Sequence, residues 1–475
     1  MKNDIKKSNR VRLNYLNSHK RPVSRREFIS MGLMAGGGLV AAPTIGSLFL
    51  SPLSAEASTS AASGVPFLVF DLAGGAALPA NFLVGKVGGP KDLLNSYDQL
   101  GWDPKTDGFD ERFGLPMPKV EISFLLQGLL NALSADAQKN LRFSSLSHIG
   151  QTDTSSNPLS ALSLAVKAGA TGSKLVGSCG LKASSSGGNS ILALDGSSYR
   201  PFFVPDLSTL QRANDFGGRV GALGFDLRSG LVDLLRRLSE TSARDLLGTR
   251  LSKDELSRID ATYSRAVDAV RNPIAIDPRV DPIVSAVYGF NGGESETNQN
   301  VLRAAIVNGV LSGQTGPGVI TIDGCDYHDS TVGSGEQKDF EIGVEIGRAV
   351  ELAHRLGKPL FFQVITDGGI YPDAGTRRWI GDRVESCMSV MGYFNPAAVP
   401  KYRSLPDGSP SQQIGHYTDG QGADRATLIG ESPLLSAYAV AANYLSIQGR
   451  LGEFTTLFPS TLSGSPLDSV IAFES

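Results

Sequence analysis

Gly316-Pro-Gly-Val-Ile-Thr-Ile-Asp-Gly-Cys-Asp-Tyr-His-Asp-Ser330 is the stretch from which the rest of the chain is read. Val319 to Ile322 is a short β-rich apolar run, the pattern of a buried strand. The run stops at Asp323-Gly324, and Asp326, His328 and Asp329 follow within a few residues. In open α/β sheets, ligands sit beyond the carboxyl ends of the strands. Asp326 and His328 alternate by two, so in extended chain their side chains face the same way. One hard oxygen and one imidazole nitrogen suit zinc or a similar divalent ion. The alternative is a polar turn whose aspartates cap the following helix.

The same theme recurs along the chain. Val65-Pro-Phe-Leu-Val-Phe70 reads as a buried strand that ends at Asp71, with glycines behind it. Glycines there let a ligand approach the backbone closely. Leu141 to Leu146 is a second strand and runs into Ser147-His148. Leu360 to Ile365 is another, running into Thr366-Asp367-Gly-Gly. His416 stands in a late loop rich in Gly and Asp. Each ending alone can be a cap or a turn. If the strands are parallel, the endings converge on one rim.

Helical periodicity marks Ile122–Leu133, residues 159–168, Gly335–Leu356 and Ser432–Ile447. A short helix is also expected near Val384 to Met391. His354, in the last turn of its helix, suits the helix dipole and reads as structural. Residues 206–313 turn mainly helical, broken by Asn272-Pro273 and two Asp-Pro pairs. They read as a helical insertion between two halves of one sheet. Gln151-Thr-Asp-Thr-Ser-Ser-Asn-Pro158 precedes a helix start. Ser, Thr or Asn before Pro is a cap signature, and the same geometry aims backbone N–H groups at an anion. Thr154 and Ser155 are the candidate nucleophilic hydroxyls at that place.

The N-terminus reads as an address. Ser24-Arg-Arg-Glu-Phe-Ile29 follows a basic, polar leader, Phe28 to Ala55 carries no charge, and Ala55-Glu-Ala57 offers small residues for cleavage. This is the pattern of a twin-arginine signal peptide over residues 1–57. The expected partner is the twin-arginine translocation machinery, and the expected location is exported and periplasmic. The alternative is an uncleaved segment that anchors the chain, since the uncharged run is long enough to span a bilayer. Membrane contact is expected only through this segment. Residues 58–64 form a small-residue linker, and 65–475 read as a single α/β domain. Nine of the 44 Lys/Arg and three of the 47 Asp/Glu lie in residues 1–57, which leaves 35 basic against 44 acidic residues, or −9. A surface of that sign argues against nucleic acid as a partner. Cys179, Cys325 and Cys387 are far apart and form no CxxC, so neither a disulfide framework nor a zinc knuckle is expected.

Several of these features occur together in a fixed order: the twin-arginine leader, Phe70-Asp-Leu-Ala-Gly-Gly75, Asp326-x-His328, Thr366-Asp-Gly-Gly369, His416 and a terminal helix. In that order the chain resembles the exported domain-of-unknown-function family fifteen-oh-one, which is similar in fold to the alkaline phosphatase and sulfatase superfamily. The resemblance implies an alkaline phosphatase-like doubly wound sheet with helices on both faces. It implies Asp71 and Asp367 on one metal, and Asp326, His328 and His416 on another. The ion would be zinc, manganese or calcium. The chain departs from the pattern at Gly368, where the superfamily usually carries His, and at Gly415-His-Tyr417, where the family tends to show Asp-His-Trp.

Two functions compete at this level. One is a metal-dependent hydrolase of phosphate or sulfate esters, with Thr154 or Ser155 attacking. The other is a catalytically inactive exported module that keeps the fold to bind or assemble with an exported protein partner. Metal content separates them. The leader carries its own test: replacing Arg25 and Arg26 with Lys should abolish export in cell fractionation. A mature N-terminus at Ser58 is expected by Edman sequencing.

Overall fold

The structure is a computed structural model. It describes residues 64–150, 158–172, 177–181, 191–192, 198–199, 201–214, 230, 277–328, 332–372, 379–459 and 462–475. Residues 1–57, expected to be a signal peptide, lie outside the described residues together with Thr154, Ser155 and most of the expected helical insertion. Among the described residues, no helix is long and apolar enough to cross a membrane.

Eight strands form the central sheet: β1 (Phe67–Leu72), β2 (Leu141–Ser147), β3 (Cys179–Gly180), β4 (Phe202–Phe203), β5 (Gly318–Ile322), β6 (Leu360–Thr366), β7 (Met388–Phe394) and β8 (Gln413–Ile414). Their spatial order is β8-β2-β7-β6-β1-β5-β3-β4. All neighbours pair parallel except around β7, which runs antiparallel to both β6 and β2. This is a mixed α/β architecture built on a large, mostly parallel sheet. The expected short helix near Val384 to Met391 is corrected: a 3-10 turn at Val384–Ser386 leads into β7. The Met388–Phe394 segment is fully buried between two strands, and its ladder bonds to both override its weak helical pattern.

The main helices are α1 (Phe124–Ala132), α2 (Leu162–Lys167), α3 (Leu207–Asn214), α4 (Pro282–Tyr288), α5 (Gln299–Leu311), α6 (Val332–Arg355) and α7 (Pro433–Ser446). They cover the sheet on two sides. Alternate residues of β1 point opposite ways. Leu68, Phe70 and Leu72 enter the core shared with α1, α5 and α6. Phe67 and Val69 enter the core shared with α2 and α7. A strand buried on both faces reads as a continuous apolar run, which is why β1, β5 and β6 are plain in the sequence. The described parts of residues 206–313 are helical: α3, α4 and α5.

Helices α1 and α6 pack with their backbones nearly touching. A Cβ on Gly128 would strike the Phe340 carbonyl oxygen, and one on Gly343 would strike the Leu125 carbonyl oxygen. Arg303 of α5, almost fully buried, reaches Glu341 of α6 at 2.9 Å. Glu345 is also paired with Arg348 at 2.8 Å. The Arg348 guanidinium lies over the Tyr288 ring of α4 at 5.2 Å. These contacts bind α4, α5 and α6 into one layer.

The close helix pair generates a stability test. Gly343→Ala should lower unfolding free energy by about 1–3 kcal/mol, because backbone rather than a flexible side chain must move aside. Urea denaturation followed by far-UV circular dichroism measures it.

Candidate functional site at the carboxyl rim

Three parallel strands meet at the middle of the sheet, with β1 between β5 and β6. Their register sets Asp71 level with Thr321 and Ile365. Asp71 follows Phe67 and Val69 in alternation, so its side chain lies on the α2/α7 face. It is completely buried, and Thr321 Oγ1 donates to Asp71 Oδ2 at 3.2 Å.

The loop after β1 stitches the three strand ends together. Ala73 N–H donates to Ile322 O at 3.0 Å, and Cys325 N–H donates back to Ala73 O at 3.1 Å. Tyr327 N–H donates to Gly75 O at 3.3 Å. On the other side, Thr366 Oγ1 donates to Gly74 O at 2.7 Å and accepts from Ala76 N–H at 2.9 Å. Gly74 has φ +108°, and a Cβ there would lie 2.8 Å from the Asp326 nitrogen. Position 74 therefore needs glycine twice, once for its dihedral and once for space.

Beyond β5 the chain turns at Gly324, which has φ +75°, and burial then alternates along it. Cys325 and Tyr327 are buried, while Asp326 and His328 turn outward. Asp326 Oδ1 and His328 Nε2 are 2.7 Å apart, with side-chain exposures of 53% and 34%. Asp367 follows β6, is buried, and has its N–H 3.4 Å from Gly74 O. Its carboxylate adds to the effect of burial in pushing the Cys387 thiol far above its ordinary range.

His148, past the end of β2, is fully enclosed. Its Nδ1 lies 2.8 Å from the Ile149 carbonyl and its Nε2 lies 3.0 Å from Ser389 Oγ. The Ile149 carbonyl accepts only, so Nδ1 carries the proton and Nε2 accepts from the serine. Burial drives the pKa of this ring down to about 4, against a smaller upward pull from the carbonyl. Strand β2 and the start of α2 also carry buried serine hydroxyls. Among the described residues, Ser144, Ser145, Ser147, Ser160 and Ser163 have no hydrogen-bond partner for Oγ. Gln363 of β6 pins the chain just past the Thr154 and Ser155 segment, donating to Leu159 O at 2.7 Å and accepting from Ala161 N–H at 2.9 Å.

His416 belongs to a different part of the rim. Strand β8, which leads to it, stands five places from β5 in the sheet order, about 24 Å at the spacing of neighbouring strands. Its Nε2 lies 3.0 Å from Asp424 Oδ2. The neighbouring Tyr417 is anchored by donating to Cys387 O at 2.8 Å. Of the five residues expected as metal ligands, the structure pairs Asp326 with His328. It brings Asp71 and Asp367 to the ends of the adjoining strands and gives His416 its own aspartate. Among the described residues, no three His, Cys, Asp or Glu side chains gather in a way that holds a metal ion.

Sequence reasoning missed the partners. Ser389 was hidden inside an expected helix, and Asp424 inside a loop of many aspartates. Thr321 was read only as a strand residue, and Thr366 only as part of the Thr366-Asp-Gly-Gly369 run, without the bonds they make to Asp71 and to the loop after β1. Comparison of the chain with family models, with curated proteins and with solved structures found no match.

His148 makes the site sensitive to acid. Its pKa in the folded chain lies below the ordinary 6.5, so the unfolded chain binds more protons between about pH 6.5 and about 4. Stability from this group is complete above that window and falls as pH drops through it. The loss should approach about 3 kcal/mol by pH 4, at roughly 1.4 kcal/mol per pKa unit. Urea titrations at stepped pH should show this slope in the parent and a flatter one in His148→Gln.

Proposed function

We propose that this chain is an exported protein of alkaline phosphatase/sulfatase-like fold whose carboxyl rim takes a divalent cation and acts on a phosphate or sulfate ester. The single observation that carries the reading is the delivery of Asp71, Asp326 and Asp367 to the ends of three adjacent parallel strands, all tied to the Ala73–Ala76 loop. Ligands in such sheets bind at that edge.

The donor chemistry of the central pair fits a cation. Asp326 and His328 offer a carboxylate oxygen and an imidazole nitrogen, partly exposed and 2.7 Å apart. That combination suits zinc or manganese, and an all-carboxylate contribution from Asp71 and Asp367 suits calcium. A divalent cation held by these residues would supply polarisation of an ester oxygen and a lowered pKa for a nucleophile beside it. The chain's own residues do the positioning. Asp326 sets the tilt of the His328 ring, the Gly74 loop holds Asp326 in place, and Thr321 holds the Asp71 carboxylate. Thr154 and Ser155 remain the proposed attacking hydroxyls.

A second reading has its own observation. Both rim histidines, His328 and His416, have Nε2 against an aspartate, and among the described residues no three-ligand group forms. A zinc centre in catalysis commonly uses three protein ligands. This arrangement suits a catalytically inactive module on the same fold that binds or assembles with an exported partner.

Thermal unfolding separates the two. After chelation and refilling with zinc or manganese at about 100 times Kd, a cation-binding rim should gain about 2.7 kcal/mol. His328→Ala should remove that response. A parent with no response to any of zinc, manganese or calcium favours the binding module.

A further inference from the structure

We propose that the hydrogen bond from Tyr327 to Asp339 is a pH-sensitive latch that holds the Asp326–His328 segment against the body of the protein. Tyr327 stands between the two outward-facing residues and points the other way, with 1% of its surface exposed. Its hydroxyl donates to Asp339 Oδ1 at 3.0 Å. Asp339 projects from α6 and is itself only 6% exposed. Whatever fixes Tyr327 also fixes its neighbours on either side, because Asp326 and His328 are joined to it directly along the chain and cannot move independently of the residue between them.

The surroundings of Asp339 are built to accept one proton. The Asn81 side chain also hydrogen bonds to the carboxyl. Asn81 is held in turn by Ser123 Oγ, which donates to Asn81 Oδ1 at 3.5 Å. Facing this carboxyl are Tyr327 and Cys325 on the rim segment and Glu336 on α6, while Lys338 and Glu341 of α6 and Asp71 of β1 act on the neighbouring Cys325. Burial is the main influence on Asp339, and Glu336 adds to it. Together they raise its pKa from 3.8 to about 7, against the pull of Asn81 and Tyr327.

The sign follows. The buried carboxyl prefers its proton, whereas the same carboxyl in water releases it near pH 3.8. The closed latch is therefore favoured at low pH and loses that advantage as pH rises through about 7. Above neutrality, a buried charge favours any state that hydrates Asp339. Reaching it requires Tyr327 to leave its slot, and Asp326 and His328 move with it.

Trp379 reports on the slot. Its ring lies 6.2 Å from that of Tyr327, tilted by 35°, and its buried Nε1 has no hydrogen-bond partner among the described residues. The test uses the full mature chain labelled with 5-fluorotryptophan, in chelator, so that cation binding plays no part. The Trp379 resonance is identified by its loss in Trp379→Phe. It should titrate with a midpoint near pH 7. Asp339→Asn stays neutral and should abolish the transition, with His328 still present. Tyr327→Phe keeps the ring but removes a hydrogen bond that favours the ionised form, so the midpoint should move upward. The proposal is overturned if Trp379 does not titrate between about pH 5.5 and about pH 8.5, the range around the latch carboxyl's pKa. It is equally overturned if the midpoint is unchanged in Asp339→Asn. Should that variant fail to fold, an unshifted midpoint in Tyr327→Phe overturns it instead. None of these outcomes bears on cation uptake, which the thermal response to metal measures separately.

Discussion

The contact between Gly74 and the backbone of Asp326 constrains the rim of this molecule. A turn must leave β1 and pass directly over the end of β5, and at position 74 there is no room for a Cβ. The loop then spends its polar backbone groups on both neighbours, on Ile322, Cys325 and Tyr327 to one side and on Thr366 to the other. Those bonds hold the segment after the Gly324 turn against the end of β1. Burial alternates along it, so that Cys325 and Tyr327 lie inside while Asp326 and His328 face outward. The exposed pair is thus a consequence of how its neighbours are buried.

Four polar pairs stand along the rim at short range. Thr321 serves Asp71, Asp326 serves His328, Ser389 serves His148 and Asp424 serves His416. Pairing of this kind is what burial demands, since an enclosed polar atom without a partner is expensive. Part-exposed pairs at a strand end are also positions from which donors can turn toward a ligand. Asp326 and His328 meet that description; His148 and Ser389, sealed inside, serve the frame.

Two enclosed titratable groups sit close to this frame and pull stability in opposite directions. Burial lowers the pKa of His148 and raises that of Asp339. Both groups resist becoming charged, so one resists acid and the other resists base. The same desolvation acts on an imidazole in one case and on a carboxyl in the other. Between them the folded chain is held to a middle range of pH, with the rim segment coupled to the carboxyl side through Tyr327.

Much of this was legible in the amino-acid order. β1, β5 and β6 are buried on both faces and so appear as unbroken apolar runs. Asp71 lies near the end of its apolar run, and Asp367 and Asp326 follow theirs within one and four residues, so all three are visible as acids beside buried strands. The excess of acidic over basic residues beyond residue 57 and the basic stretch followed by an uncharged run before it are also properties of order and composition alone. The three-dimensional fold decided what those acids face. β7 carries no clear strand signal, and only its place between β2 and β6 makes it one. Its reversal brings Ser389 to His148, more than 200 residues away in sequence. The order of strands also set β8 far from β5, which separates His416 from the Asp326–His328 pair. Local pattern reports how much of a segment is buried. Which strand lies beside which depends on long-range pairing, and one chain read in order carries no record of it.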